Sequence, residues 1–126
     1  MEHIDHFQDE LRGPAKELRA LIPDVLKGFG EIQRAAMIEG ATSLAQKELV
    51  ALAIAMTREC DGCIEAHARG AVRAGVTREQ LAETIGVVIL MNGGPGTVGV
   101  PAHCGLLTKP NLVRKIKSRP VKFRAE

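Results

Sequence analysis

Residues 43–77 read SLAQKELVALAIAMTRECDGCIEAHARGAVRAGVT, and their spacing traces two helices. Ser43 with Gln46 has the form of a capping box, in which the hydroxyl accepts from the N–H three residues on and the amide side chain accepts in return. From Leu44 to Met56 every residue suits a helix. After Glu48 the run is apolar on nearly every side, which is the pattern of a central helix. The stretch Thr57 to Cys60 breaks it. A second helix is predicted to start near Cys60 or Asp61 and to end at Gly75, a residue suited to the left-handed capping position. In that helix Ile64, Ala68, Ala71 and Val72 form an apolar stripe, and Glu65, Arg69 and Arg73 are expected to face water.

Outward from this core the helical pattern continues. Thr77 with Gln80 repeats the capping box, and Leu81, Ile85, Val88 and Ile89 recur at helical spacing until the breakers Asn92-Gly93-Gly94-Pro95-Gly96. Upstream, Pro23 suits a first helical position and opens a segment through Val25, Leu26, Phe29 and Ile32 towards Met37. Val98 to Leu107 is apolar but holds Gly99, Pro101 and Gly105, so a short or kinked helix is expected there. No segment alternates with period two. The predicted fold class is all-α, in a single domain over residues 1–126 with a basic tail at about 109–126.

Composition agrees. Three Phe and no Trp or Tyr leave the core to Leu, Ile, Val, Ala and Met, which favours close helix packing. The formal charge of +2 is unevenly spread: residues 109–126 hold seven of the seventeen Lys and Arg and one acid, so the remainder carries a net −4. With only Phe123 for stacking and no recognisable motif, the tail reads as solvated or subunit-docking, not as a nucleic-acid surface. The N-terminus lacks the basic-then-apolar pattern of a signal peptide, and the longest nearly uncharged apolar run, Leu49 to Met56, is too short to span a bilayer. The expectation is a cytoplasmic protein with no membrane or nucleic-acid partner. Three cysteines, two in CxxC spacing, argue against a structural disulfide framework and for redox or metal chemistry.

The chemistry-bearing residues are Glu48, Cys60, Cys63 and His67. A CxxC at a helix start meets unpaired N–H groups and the positive end of the helix dipole, both of which favour the thiolate, the attacking species. His67 follows Cys63 by four residues and Cys60 by seven, so all three project from one face. His67 lies closest to Cys63 and is placed to accept its proton directly or through a water. Cys60 lies two turns away, nearer the exposed helix end. Glu48 is costly in an apolar setting unless paired, and its simplest partner is His67, which gives a relay from carboxylate to imidazole to thiol. Other readings remain for the same residues: a zinc site on Cys60, Cys63, His67 and Glu48, although structural zinc ordinarily uses a second Cys or His pair; a satisfied core histidine; and a first-turn acid stabilising its helix dipole. Cys104, between His103 and Gly105, reads as a small buried hydrophobe.

The stretch Lys47-Glu48-Leu49 through Cys60, Asp61, Gly62, Cys63, Ile64 and His67, continuing into Ala74-Gly75-Val76-Thr77-Arg78-Glu79, resembles the carboxymuconolactone decarboxylase superfamily, within it the alkylhydroperoxidase D-like branch. Met91, Gly93, Gly94, Pro95, Val98 and His103 resemble the family's following segment, so that the match covers roughly residues 20–108. The resemblance implies an all-helical fold assembling as homotrimers or homohexamers. It also implies a peroxidase or disulfide-reductase activity without bound metal or flavin, acting on a hydroperoxide or disulfide and restored by a thiol reductant. In the family's scheme the residue at Cys63 attacks the peroxide and that at Cys60 resolves the sulfenic acid, with Glu48 and His67 as the proton relay. The chain departs from alkylhydroperoxidase D at Gly62, where that protein carries a His. The competing reading is decarboxylation of a cyclic lactone acid with Glu48 and His67 as acid and base, which leaves the cysteine pair without a purpose. A non-enzymatic oligomeric scaffold leaves the whole constellation so.

Overall fold

The computed structural model describes residues 3–103, and every regular element among them is helical: α1 (His3–Leu21), α2 (Pro23–Met37), α3 (Leu44–Thr57), α4 (Asp61–Arg73), α5 (Arg78–Asn92) and α6 (Gly94–His103). The expectations for Cys104 and the basic tail fall outside the described residues.

Both predicted capping boxes form. The Ser43 Oγ accepts from the Gln46 N–H at 3.2 Å while Gln46 Oε1 accepts from the Ser43 N–H at 2.9 Å. Thr77 and Gln80 repeat the pair at 3.2 and 2.9 Å. Each box satisfies two of the N–H groups a helix start leaves unpaired, and a Ser or Thr cap is worth about 1 kcal/mol.

α3 and α4 end in the same way. After α3, the Glu59 N–H donates to the Met56 carbonyl and the Cys60 N–H to the Ala55 carbonyl, with Glu59 at φ 53°. After α4, Gly75 donates to Val72 and Val76 to Ala71, with Gly75 at φ 86°. Both are Schellman closures, which reverse the chain within two residues. The predicted glycine occupies the second. In the first a glutamate takes the left-handed position, and the closure delivers Cys60 directly to the N-cap of α4.

Among the described residues the core lies where α3, α4 and α5 meet. Leu52, Ala55 and Met56 of α3 pack with Ile64, Ala68 and Ala71 of α4, with Val76, and with Leu81 and Val88 of α5; Ala45, Leu49, Ala53 and Ile85 line its edge. Each fully buried large aliphatic side chain contributes about 1.5–3 kcal/mol, and the alanines let α3 and α4 approach closely. Lys47 ties α2 to this core by donating its ammonium to the Ala36 and Ile38 carbonyls at the C-terminal end of α2, where a helix carries its partial negative charge.

Three sequence expectations are corrected here, and one helix is added. Glu65 is fully buried, not solvent-facing, and pairs with the half-exposed Arg69 one turn on; spacing on α4 alone does not reveal which of its faces the other helices cover. α3 is central on one side only, since Val50 and Ile54 remain more than half exposed. α6 starts at Gly94, inside the expected breaker cluster: only Gly93, at φ 62°, interrupts the chain, and Pro95 in the first turn sacrifices an N–H that has no partner there. Finally, α1 has no counterpart among the expected helices, and it runs through Pro14.

Candidate functional site

α3 and α4 form the most extensive helix pair among the described residues, and all four sequence-identified residues lie along it. Cys60 is the N-cap of α4 and Cys63 its third residue. The two sulfurs are joined in a disulfide, with the Cα atoms 5.3 Å apart, inside the range such a bond accepts. The expectation about exposure is reversed: Cys63 is exposed and Cys60 half-buried, because the closure of α3 folds Cys60 back against the preceding helix.

His67 stands one turn beyond Cys63. Its Nδ1 lies 2.8 Å from Glu48 Oε2, reaching across from α4 to α3, with His67 and Glu48 side chains 26% and 13% exposed. Glu48 is the fifth residue of α3, past its first turn, and its carboxylate engages His67 and not the N–H groups of its own helix; the dipole-stabilising reading of Glu48 is therefore not the one realised. The pairing also assigns the tautomer. An ionised carboxylate only accepts, so Nδ1 carries the hydrogen, and in the neutral ring Nε2 keeps the lone pair. The imidazole is held through Nδ1, and no second hydrogen bond to the ring is seen among the described residues.

Gly70, three residues past His67, is buried directly against the Glu48 carboxylate. Sequence reasoning does not single it out, and the available signal is a glycine in a helix interior, a position that ordinarily costs stability. Among the described residues no group of three or more His, Cys, Asp or Glu is placed to hold a metal ion, and no helix is long and apolar enough to cross a membrane.

The stretch that builds this site is shared with known proteins. A family model described as the carboxymuconolactone decarboxylase family matches residues 23–100, which include all four site residues. An uncharacterised protein of Cupriavidus necator is 41% identical over 76 residues, spanning 60% of this chain and 67% of its own. An uncharacterised protein of the cox locus of Paracoccus denitrificans is 38% identical over 66 residues, spanning 52% and 60% respectively. The crystal structure of a carboxymuconolactone decarboxylase family protein from Legionella pneumophila, in its apo form, superposes with a TM-score of 0.75 at 28% identity, covering 94% of this chain and 100% of its own.

Proposed function

The chain belongs to the carboxymuconolactone decarboxylase family, and on that premise we propose that it is a thiol-dependent peroxidase or disulfide reductase of the alkylhydroperoxidase D-like branch, working through Cys60 and Cys63. The observation that carries this reading is the disulfide on the first turn of α4 with the Glu48–His67 pair one turn beyond it. In the reduced protein His67 Nε2 takes the Cys63 proton. The thiolate attacks one peroxide oxygen, the O–O bond breaks, and the leaving alkoxide collects a proton to become an alcohol. The sulfenic acid left on Cys63 is then attacked by Cys60, water departs, and the disulfide forms. An external thiol reductant returns two electrons and two protons, so that one hydroperoxide and two thiols become one alcohol, one water and one disulfide. The same pair, run from the oxidised side, reduces or exchanges disulfides, and the exposure of Cys63 suits contact with a partner thiol. Antioxidant defence in the cytoplasm is the setting this chemistry serves.

Stoichiometric organic hydroperoxide added to the reduced protein is expected to remove the two free thiols of Cys60 and Cys63 and to lower the mass of the peptide spanning them by two hydrogens. A disulfide drawn through Cys104 instead would sink the assignment. The lyase reading uses the same Glu48 and His67 without the thiols. It predicts an activity unchanged by alkylation of both cysteines, and the disulfide speaks against it by giving the pair a function it does not use.

We further propose that the protein works as a homotrimer or homohexamer. No residue of α2 is buried, and Val25, Phe29 and Ile32 recur along one of its faces at 63%, 64% and 68% exposure. Together with Val50 and Ile54 of α3 this is more unpaired apolar surface than scattered exposure explains. Light scattering at micromolar concentration should give three or six times the 13.5 kDa chain mass; a monomer mass would refute the assembly.

A further inference from the structure

We propose that Gly70 is a positioning residue whose missing side chain holds the Glu48 carboxylate against His67. The proposal rests on the reading above, in which this pair serves Cys63. A Cβ built on Gly70 would meet the Glu48 carboxyl carbon and both its oxygens well inside 3.0 Å, a separation real Cβ atoms essentially never show. A Cβ at Gly13, Gly28, Gly40, Gly75, Gly86, Gly93 or Gly94 would meet nothing within 4 Å, and at Gly30 or Gly96 it would meet only residues outside the site.

Two facts turn this collision into a function. First, the nearest atoms that Gly70 makes room for are the far end of a flexible side chain, not backbone. An added methyl is therefore accommodated at least cost by swinging the carboxylate aside, leaving the helices in place. Second, that carboxylate is already committed to His67 Nδ1 at 2.8 Å, so swinging it aside breaks the contact that sets the imidazole tautomer. A glycine serving only helix packing would show neither dependence on Glu48 nor any effect on His67. In an ordinary helix interior Gly→Ala stabilises, because alanine loses less backbone entropy and has the higher helix propensity. Here the sign is expected to depend on what occupies position 48.

The test uses the full chain, reduced, with three readouts: the imidazole 15N resonances of His67, the pH profile of Cys63 alkylation, and the unfolding midpoint. Gly70→Ala is expected to move the His67 resonances to those of Glu48→Gln and to shift the alkylation profile to higher pH as Glu48→Gln does. Adding Glu48→Asp, whose carboxylate sits one methylene further back, should return both readouts towards the native protein. Gly70→Ala should lower the unfolding midpoint in the native background and raise it in a Glu48→Ala background. Should Gly70→Ala alone fail to fold, the Glu48→Ala, Gly70→Ala double variant must fold for the proposal to stand. Native His67 resonances in Gly70→Ala, or a raised midpoint in both backgrounds, overturn it. If Gly70→Ala moves the His67 resonances while Glu48→Gln leaves alkylation of Cys63 untouched, Gly70 keeps its positioning role and the relay to the thiol is the part that falls.

Discussion

Cys63→Ser is expected to abolish reaction with hydroperoxide, whereas Cys60→Ser should leave a protein that reacts once and stops. A serine hydroxyl in place of the attacking sulfur has neither the thiolate's nucleophilicity nor its accessible ionisation, so the rate should fall to the uncatalysed background. In Cys60→Ser the attacking sulfur, its helix-start environment and the Glu48–His67 pair 2.8 Å apart all remain. The sulfenic acid on Cys63 then forms but meets no resolving thiol, and it should accumulate as a stoichiometric adduct trappable by a dimedone-type reagent and visible as one added oxygen. The assignment rests on two placements. Cys63 is one helical turn from His67 while Cys60 is two, and Cys63 is the exposed member of the pair. In other CxxC enzymes the first cysteine gains more from the helix dipole. If Cys60 is the residue trapped as sulfenic acid in the corresponding Cys63→Ser protein, the order of attack is inverted.

The second large effect is expected from the relay. His67→Gln should slow peroxide reaction by about 100-fold or more, the usual contribution of a positioned general base, and should shift Cys63 alkylation to higher pH, because the thiolate loses both its proton acceptor and the cation that would pair with it. Glu48→Gln should approach the same loss by a different route. The amide nitrogen can donate to Nδ1, which flips the imidazole to the tautomer whose outer nitrogen carries a proton and is no longer a base. Stopped-flow consumption of hydroperoxide, with alkylation rates followed against pH, reads both effects. A profile indifferent to His67 would separate the imidazole from the thiol and dismantle the relay.

Much of this site is legible in the order of residues along the chain. The spacing of Glu48, Cys60, Cys63 and His67, the two capping boxes and the glycine after α4 are local patterns, governed by which atoms a helix turn brings together, and the fold realises them as read. The expectations that fail do so for local and for long-range reasons. Glu65 has the spacing of a solvated charge on α4, yet the packed fold buries it completely. α1 itself carries Pro14 in its interior, where local propensity argues against a helix.

The amino-acid sequence by itself determined the helical class, the termini of the three central helices and the placing of both cysteines at the start of one of them, because capping, periodicity and the reach of a helical turn are short-range effects. Only the tertiary structure decided among the readings open for Glu48 in favour of the expected pairing with His67, and decided that Cys63 and not Cys60 faces solvent and that Gly70 is the surface against which the carboxylate rests. Each of these depends on how closely and at what rotation α3 packs on α4. That packing is set by the summed fit of Leu52, Ala55, Met56, Ile64, Ala68 and Ala71, a many-body quantity that no spacing along the chain encodes.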